Sequence, residues 1–190
     1  VELAWTGDDP GRKLRERVRE SWPALAAPDV AATQLARVAL VELQAEGHYQ
    51  ARVEPTVAAG AETVKVTLQV ERGPRGRGVD LRFEGARALD QAALRAALPP
   101  PGGRQFFEDL NDRGSALADL LRLRYAGAGH LQVRVGAPRR RFDPATGRLE
   151  VVVPVREGPV SRVASLRLPE ELGLPGLGAA PRPKLTAGQP

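Results

Sequence analysis

The chain has 190 residues and 20.4 kDa, enough for one ordinary domain or two small ones, and its 42% hydrophobic and 27% charged residues are those of a folded, water-compatible protein. It contains no Cys, which excludes disulfides, thiolate nucleophiles, zinc–thiolate sites and Cys-ligated iron–sulfur clusters. Its 28 Lys and Arg against 23 acids give a net charge of +5, but the arginines alternate with acids along the whole chain, as in GRKLRERVRE at 11–20, which is the pattern of solvated faces rather than of a nucleic-acid footprint.

The first element is a strand at the very start, VELAWTG, with Val1, Leu3 and Trp5 on one face and Gly7 ending it. A helix over 11–22 follows, with Leu14, Val18 and Trp22 at helical spacing, and a longer one over 31–46 with Leu35, Val38, Val41 and Leu43. Gly47 stands where a left-handed residue would end that helix. Two strands complete the unit, 49–57 and 62–71, joined by the turn AAGAE.

The same series then repeats. VDLRFEG at 79–85 copies VELAWTG at an offset of 78, GHLQVRV at 129–135 copies GHYQARV at 47–53 at an offset of 82, and VREGP at 155–159 copies VERGP at 70–74 at an offset of 85. Between them lie a helix over 90–98, with Asp90 as N-cap and Pro99–Pro101 as its stop, and a second over 112–126 ended by Gly129. Strands at 131–137 and 147–157 follow, joined by the loop RRRFDPATG, which places Arg139, Arg140 and Arg141 in a hairpin tip. ASLRL at 164–168 begins a third copy of the opening strand.

The order β-α-α-β-β predicts an α+β fold of tandem modules, each a three-stranded mixed sheet packed on two helices. The modules divide at 1–74 and 75–159, and 160–190 is the start of a third, incomplete module or a tail. The last strand is apolar at alternate positions in the first module (Val64, Val66, Leu68, Val70) and more continuously so in the second (LEVVVPV at 149–155), which suits the centre of a sheet, with the preceding strand at an edge. Pro154 in such a central strand predicts a bulge or register irregularity. Pro74 stiffens the Gly-rich junction at 73–79, leaving limited hinge motion.

Catalytic and metal chemistry find no support. His48 and His130 occupy the same repeated slot about eighty residues apart, and are read as turn residues at a helix end rather than as ligands or a catalytic pair. No Ser lies in a G-x-S-x-G elbow, and GPRGRG at 73–78 is neither a P-loop nor a dinucleotide fingerprint. The chain has no initiator Met and opens directly on a strand, which reads as a segment of a longer protein whose signal peptide would lie upstream.

The ordered set of markers resembles the polypeptide-transport-associated (POTRA) domain: G-H-x-x-A/V-x-V entering the second strand, the E-G-P or R-G-P exit, and V-x-L-x-F/W-x-G opening the next module. Residues 1–168 carry the resemblance, which is to the periplasmic arm of BamA/TamA-type outer-membrane assembly factors of the bacterial surface-antigen superfamily. Two departures stand out: His48 and His130 replace an aromatic common in the family, and the Pro- and Gly-rich tail lacks a helix pair.

The resemblance implies a non-catalytic, cofactor-free and metal-free scaffold facing the periplasm, with no nucleic-acid partner. Its implied partners are unfolded outer-membrane β-barrel proteins, accessory assembly proteins and the protein's own C-terminal membrane barrel outside this sequence. Clients would bind by β-strand addition at the sheet edges, with Gln50, Ala51, Arg52, Val53 and Glu54 in the first module and Gln132, Val133, Arg134 and Val135 in the second. There Ala51, Val53, Leu131, Val133 and Val135 are expected to face the helices, and the intervening polar residues equally well protect an edge from aggregation. The alternatives are the arm of a two-partner secretion transporter and a protein-docking module of a division or envelope protein.

Overall fold

The computed structural model describes residues 2–22, 27–60 and 63–162, so the third opening strand at 164–168 and the tail lie outside the described residues, as do residues 61–62 of the first hairpin turn. The first half runs β1 (Glu2–Gly7), α1 (Arg12–Glu20), α2 (Pro28–Ala45), β2 (Arg52–Ala59) and β3 (Val64–Glu71). The second runs β4 (Gly78–Glu84), α3 (Gln91–Ala96), α4 (Arg104–Asn111), α5 (Ser115–Gly127), β5 (Arg134–Val135), β6 (Arg139–Asp143) and β7 (Arg148–Arg156). The architecture is α+β, with two mixed sheets packed on helices.

The first sheet has the order β1-β3-β2, with β1 parallel and β2 antiparallel to the central β3. A first strand that returns through two helices to the same sheet must arrive parallel, whereas a hairpin must be antiparallel. The second sheet repeats this as β4-β7, with β5 and β6 together on the far side of β7. The repetition reaches the register: Leu3 and Trp5 lie opposite Val66 and Leu68, and their counterparts Leu81 and Phe83 lie opposite Val151 and Val153. Gly7 and Gly85 end the two opening strands with φ of +82° and +88°, and a Cβ at either would stand 2.3 Å from a backbone oxygen, that of Val70 or Val155. Only glycine fits there.

Each sheet buries one face. In the first module Leu14 and Val18 of α1, Leu35, Ala39 and Leu43 of α2, and Val66, Leu68 and Val70 of β3 form the core. Small residues at Ala32, Ala36 and Ala39 let α2 lie close to the sheet. The second core is larger and more aromatic, with Phe83, Phe106, Phe107 and Tyr125 among Leu94, Leu117, Leu121 and the alternate residues of β7.

Both long helices end in the same turn. Gly47 (φ +100°) donates to Gln44 O at 3.0 Å and His48 N to Leu43 O at 2.8 Å, and Gly129 (φ +86°) and His130 repeat the bonds to Ala126 and Tyr125. This 5→2 and 6→1 pair is the Schellman motif. The imidazoles have equivalent tasks: His48 Nδ1 lies 3.2 Å from Gly73 O, and His130 Nδ1 3.2 Å from Gly158 O, tying each turn to the exit from its sheet.

The structure corrects three readings. The second module has three helices: α4 precedes α5, and the break between them places Arg113 (φ +58°) and Gly114 (φ +72°) in the left-handed region, whereas the corresponding α2 runs unbroken. Arg139, Arg140 and Arg141 lie in β6, paired with β7, and the hairpin tip is Asp143–Gly147, where Asp143 accepts from Ala145 N and Thr146 Oγ1. Those bonds, the Thr146 hydroxyl foremost, hold the Asp143 carboxyl below its usual range. Leu131 is 67% exposed rather than turned inward, because the chain still turns through 131–132 before β5 begins. The irregularity foreseen at Pro154 is present: Gly136, Ala137 and Pro138 separate β5 from β6 opposite only Val153 and Pro154, a one-residue bulge.

Glu157 pins the exit of the second sheet. Its Oε1 accepts from Arg87 N (2.7 Å), Ala88 N (2.8 Å) and Tyr125 OH (3.0 Å). Burial opposes the charge, but these donors outweigh it and hold the carboxyl below 4.5, its ordinary value, while burial and the same carboxylate push the Tyr125 phenol up. A carboxyl depressed on folding stabilises the native state above its unfolded value, and that contribution is lost as the pH falls through the folded value. Acid unfolding followed by circular dichroism should therefore steepen below about pH 4.5. Glu157→Gln should flatten that limb and cost about 1 kcal/mol at pH 7, the exposed part of the carboxyl moderating the loss. Gly85→Ala should cost about 2 kcal/mol in urea unfolding, from a strained φ and a backbone collision.

Candidate functional site

A sheet edge can take another strand only where its main chain is continuous and unoccupied. Among the described residues, β2 meets this condition. It pairs with β3 over eight residues, Arg52 to Ala59, and forms the outer strand of its sheet. Arg52, Glu54 and Thr56 are exposed, and Val53 and Val57 pack toward the first core. Pro55, opposite Leu68, brings no N–H to the strand. Of the expected site residues, Arg52, Val53 and Glu54 lie in β2, whereas Gln50 is in the turn before it and Ala51 is buried beneath that turn.

The matching edge of the second module is different. Arg134 and Val135 alone form β5, with Gln132 in the preceding turn and Val133 between turn and strand. The bulge then interrupts the edge before β6 resumes it. Along β6, Arg140 Nη1 donates to Asn111 Oδ1 at 3.0 Å and Arg139 pairs with Glu84 on the open face of the sheet. On that same face Arg148 holds Asp80, whose carboxyl is lowered chiefly by the guanidinium bond, and Arg82 lies 3.5 Å from Glu150.

The opposite edge of the second sheet is closed by side chains. The Gln91 carboxamide takes both main-chain groups of Phe83: Oε1 accepts from its N–H at 3.0 Å and Nε2 donates to its C=O at 2.9 Å. Arg95, one helical turn on, donates to Leu81 O at 3.2 and 2.7 Å. An amide set against an amide in this way replaces a neighbouring strand. The positions equivalent to Gln91 and Arg95 in α1 are Lys13 and Arg17, by the offset of 78, and Arg17 turns to Glu42 instead. Among the described residues no side chain bonds to the main chain of β1. Sequence reasoning missed this cap, because a Gln and an Arg at i and i+4 on a helix read as ordinary surface residues.

The two modules are joined by a built contact. Val41 of α2 is 2% exposed and belongs to the core of the second module. Tyr49 packs on Phe107 with ring centroids 5.8 Å apart and planes tilted by 32°, and meets Phe142 edge-on at 6.2 Å. Gln44 is buried and accepts from Asn111 Nδ2 at 2.8 Å, and Glu42 is paired with both Arg17 of its own module and Arg104 of the next.

The linker is clamped by both sides: Gly76 N donates to Gly47 O at 2.7 Å, Arg77 N to Gly147 O at 2.6 Å, and Arg75 Nε to Glu46 O at 3.2 Å. Gly76 lies flat under the Tyr49 ring, where a Cβ would stand 2.3 Å from Cε2. With only eight aromatics in the chain, the adjacent Phe106 and Phe107 were the available signal for this junction. Tyr49→Ala should remove about 2 kcal/mol and raise amide exchange across 104–111 while leaving α1 unchanged.

The described residues contain no group of three His, Asp or Glu placed to hold a metal, and no helix long and apolar enough to cross a membrane. No family model matches the sequence, and no curated protein sequence matches it. Solved structures do. Haemophilus influenzae BamA POTRA3-5 matches with a TM-score of 0.59 at 18% identity, over 84% of this chain and 66% of that one. BamA from Haemophilus ducreyi lacking POTRA domains 1-3 matches with a TM-score of 0.50 at 18% identity, over 83% of this chain and 29% of that one. The chain thus spans about two thirds of the first structure and less than a third of the second. Parallel opening strand, helix layer, hairpin and repeated Schellman exit together give this chain the fold of tandem POTRA modules like those of BamA.

Proposed function

We propose that the chain is the client-holding arm of an outer-membrane protein assembly factor, a non-catalytic scaffold on the periplasmic side. It receives unfolded β-barrel proteins and passes them, with accessory proteins, to a membrane barrel belonging to the same protein. The modules divide at 74/75 and 159/160. The observation that carries this reading is β2, an eight-residue edge strand with alternating exposed and half-buried side chains and an open outer side. Main-chain N–H and C=O groups are the same in every client, so an open edge supplies affinity that tolerates many sequences.

The two modules divide the task unequally. The first offers Arg52, Val53 and Glu54 within a continuous strand, and the second offers only Arg134 and Val135 before the bulge. Client addition is accordingly assigned to β2, with Arg52 and Glu54 able to meet charges of either sign on an incoming strand.

An NMR titration with a synthetic strand from an outer-membrane barrel tests this. Amide shifts should concentrate on 52–59 and be small at 134–135. Saturating peptide without shifts in either segment would remove the client-edge reading. Competition between strands of unrelated barrels separates a general assembly arm, which binds them all, from the arm of a two-partner secretion transporter, which would select one cargo.

A further inference from the structure

The surface that seats the second module on the first recurs on the second, where the described residues leave it uncovered. By the offset of 82 that superposes Gly47-His48 on Gly129-His130, Val41 corresponds to Leu123, Gln44 to Ala126 and Tyr49 to Leu131. Val41 is 2% exposed beneath the second module, whereas Leu123 is 71% and Leu131 67% exposed. With Ala126 and Val133 they line one shallow groove rimmed by Asp119 and Arg122. Val160, a further exposed apolar side chain, lies beside Gly129. Exposed large apolar residues gathered at one place mark a contact surface.

The path of the chain past this groove is the same in both modules. Gly47 O accepts from Gly76 N at 2.7 Å, and Gly129 O accepts from Ser161 N at 2.7 Å. His48 lies against Gly73 O and His130 against Gly158 O, each at 3.2 Å. Gly73 and Gly158 both have positive φ and both pack on a glutamine, Gln50 or Gln132. In the first module this exit delivers the following strand so that the next module lands on Val41, Gln44 and Tyr49. In the second it points the chain the same way, toward a sequence, ASLRL at 164–168, that copies the opening strand once more.

We propose that Leu123, Ala126 and Leu131 form the seat of a third module of the same kind, beginning at residue 160 and docked as the second is docked on the first. The seat differs in polarity from the first. Glu42, which pairs with Arg104 of the second module, is replaced at the equivalent position by Arg124, and the offset of 85 puts Gln189 where Arg104 stands, so the acid–Arg pair of the first junction is not repeated. Gln44, which bonds Asn111, is replaced by Ala126, so the centre of the third contact is apolar.

The test uses the absence of cysteine from this chain. Leu123→Cys and, as a control on an exposed residue of α2, Val30→Cys are each made in the 190-residue chain and in the parent chain continued through about one further repeat. The rate of reaction with a soluble thiol reagent is read for each. In the continued chain Cys at 123 should react about tenfold more slowly or slower still, with the control unchanged. A second pair carrying Leu131→Asp should recover much of the reactivity at 123 in the continued chain, because docking would then bury an unpaired charge in the apolar seat. Equal rates at 123 in both chains would overturn the proposal. So would a parent sequence with no further repeat, or slowing that depends on added barrel peptide or on protein concentration, outcomes that assign the groove to a client or to a second copy. The amide titration of β2 is a separate measurement, so the client-edge reading stands or falls on it whatever the rates at 123.

Discussion

The left-handed glycine at the end of each long helix is the constraint on which the rest of the structure depends. At Gly47 the chain must reverse from a helix lying on the sheet into the edge strand of that sheet, and a positive φ accomplishes this in one residue. The reversal leaves the Gly47 carbonyl pointing outward, where Gly76 claims it, and places the His48 ring against the Gly73 carbonyl. One turn thus sets where β2 starts, how the sheet is left and where the next module begins. Gly129 repeats the turn, the claimed carbonyl and the histidine contact, with bond lengths that agree to about 0.1 Å.

Much of this was legible in the sequence because repetition and period-two patterning report on the features shared by both modules. Strand order, central β3 and β7, the glycine turns and the kinship of the two histidines all follow from positions that recur. What was hidden lies where the copies diverge. α4 is eight residues long and sits between glycines and a helix break, too short for periodicity to separate it from a loop. The arginines of β6 read as a polar tip because a strand that lies on an exposed sheet face needs no apolar alternation, and the bulge before it shifts the register that would have revealed it. Alternation with Val133 and Val135 points Leu131 inward, but strand geometry begins only three residues later.

The edges show how two copies of one fold acquire different capacities. In the second module a carboxamide and a guanidinium occupy the outer side of β4, and a bulge breaks the other edge in two. Both devices are ways of denying a sheet edge to other chains. Among the described residues the first module carries neither, only the missing donor of Pro55. Candidate residues chosen by homologous position were therefore not equivalent: 52–54 stand in a long strand, and 134–135 in a stub. Side-chain caps on main-chain edges leave almost no trace in a single sequence, since Gln and Arg on a helix are ordinary surface residues.

Gly76 beneath the Tyr49 ring gives the tandem an adjustable geometry that is concentrated in one position. The linker amides of Gly76 and Arg77 are already committed to Gly47 and Gly147, one on each side, and the Tyr49 ring leaves no room for a Cβ at Gly76. A methyl there would act as a wedge, and the displacement would grow with distance along the array. The curvature of a long row of modules could in this way be altered by a single codon, while each module kept its own core intact.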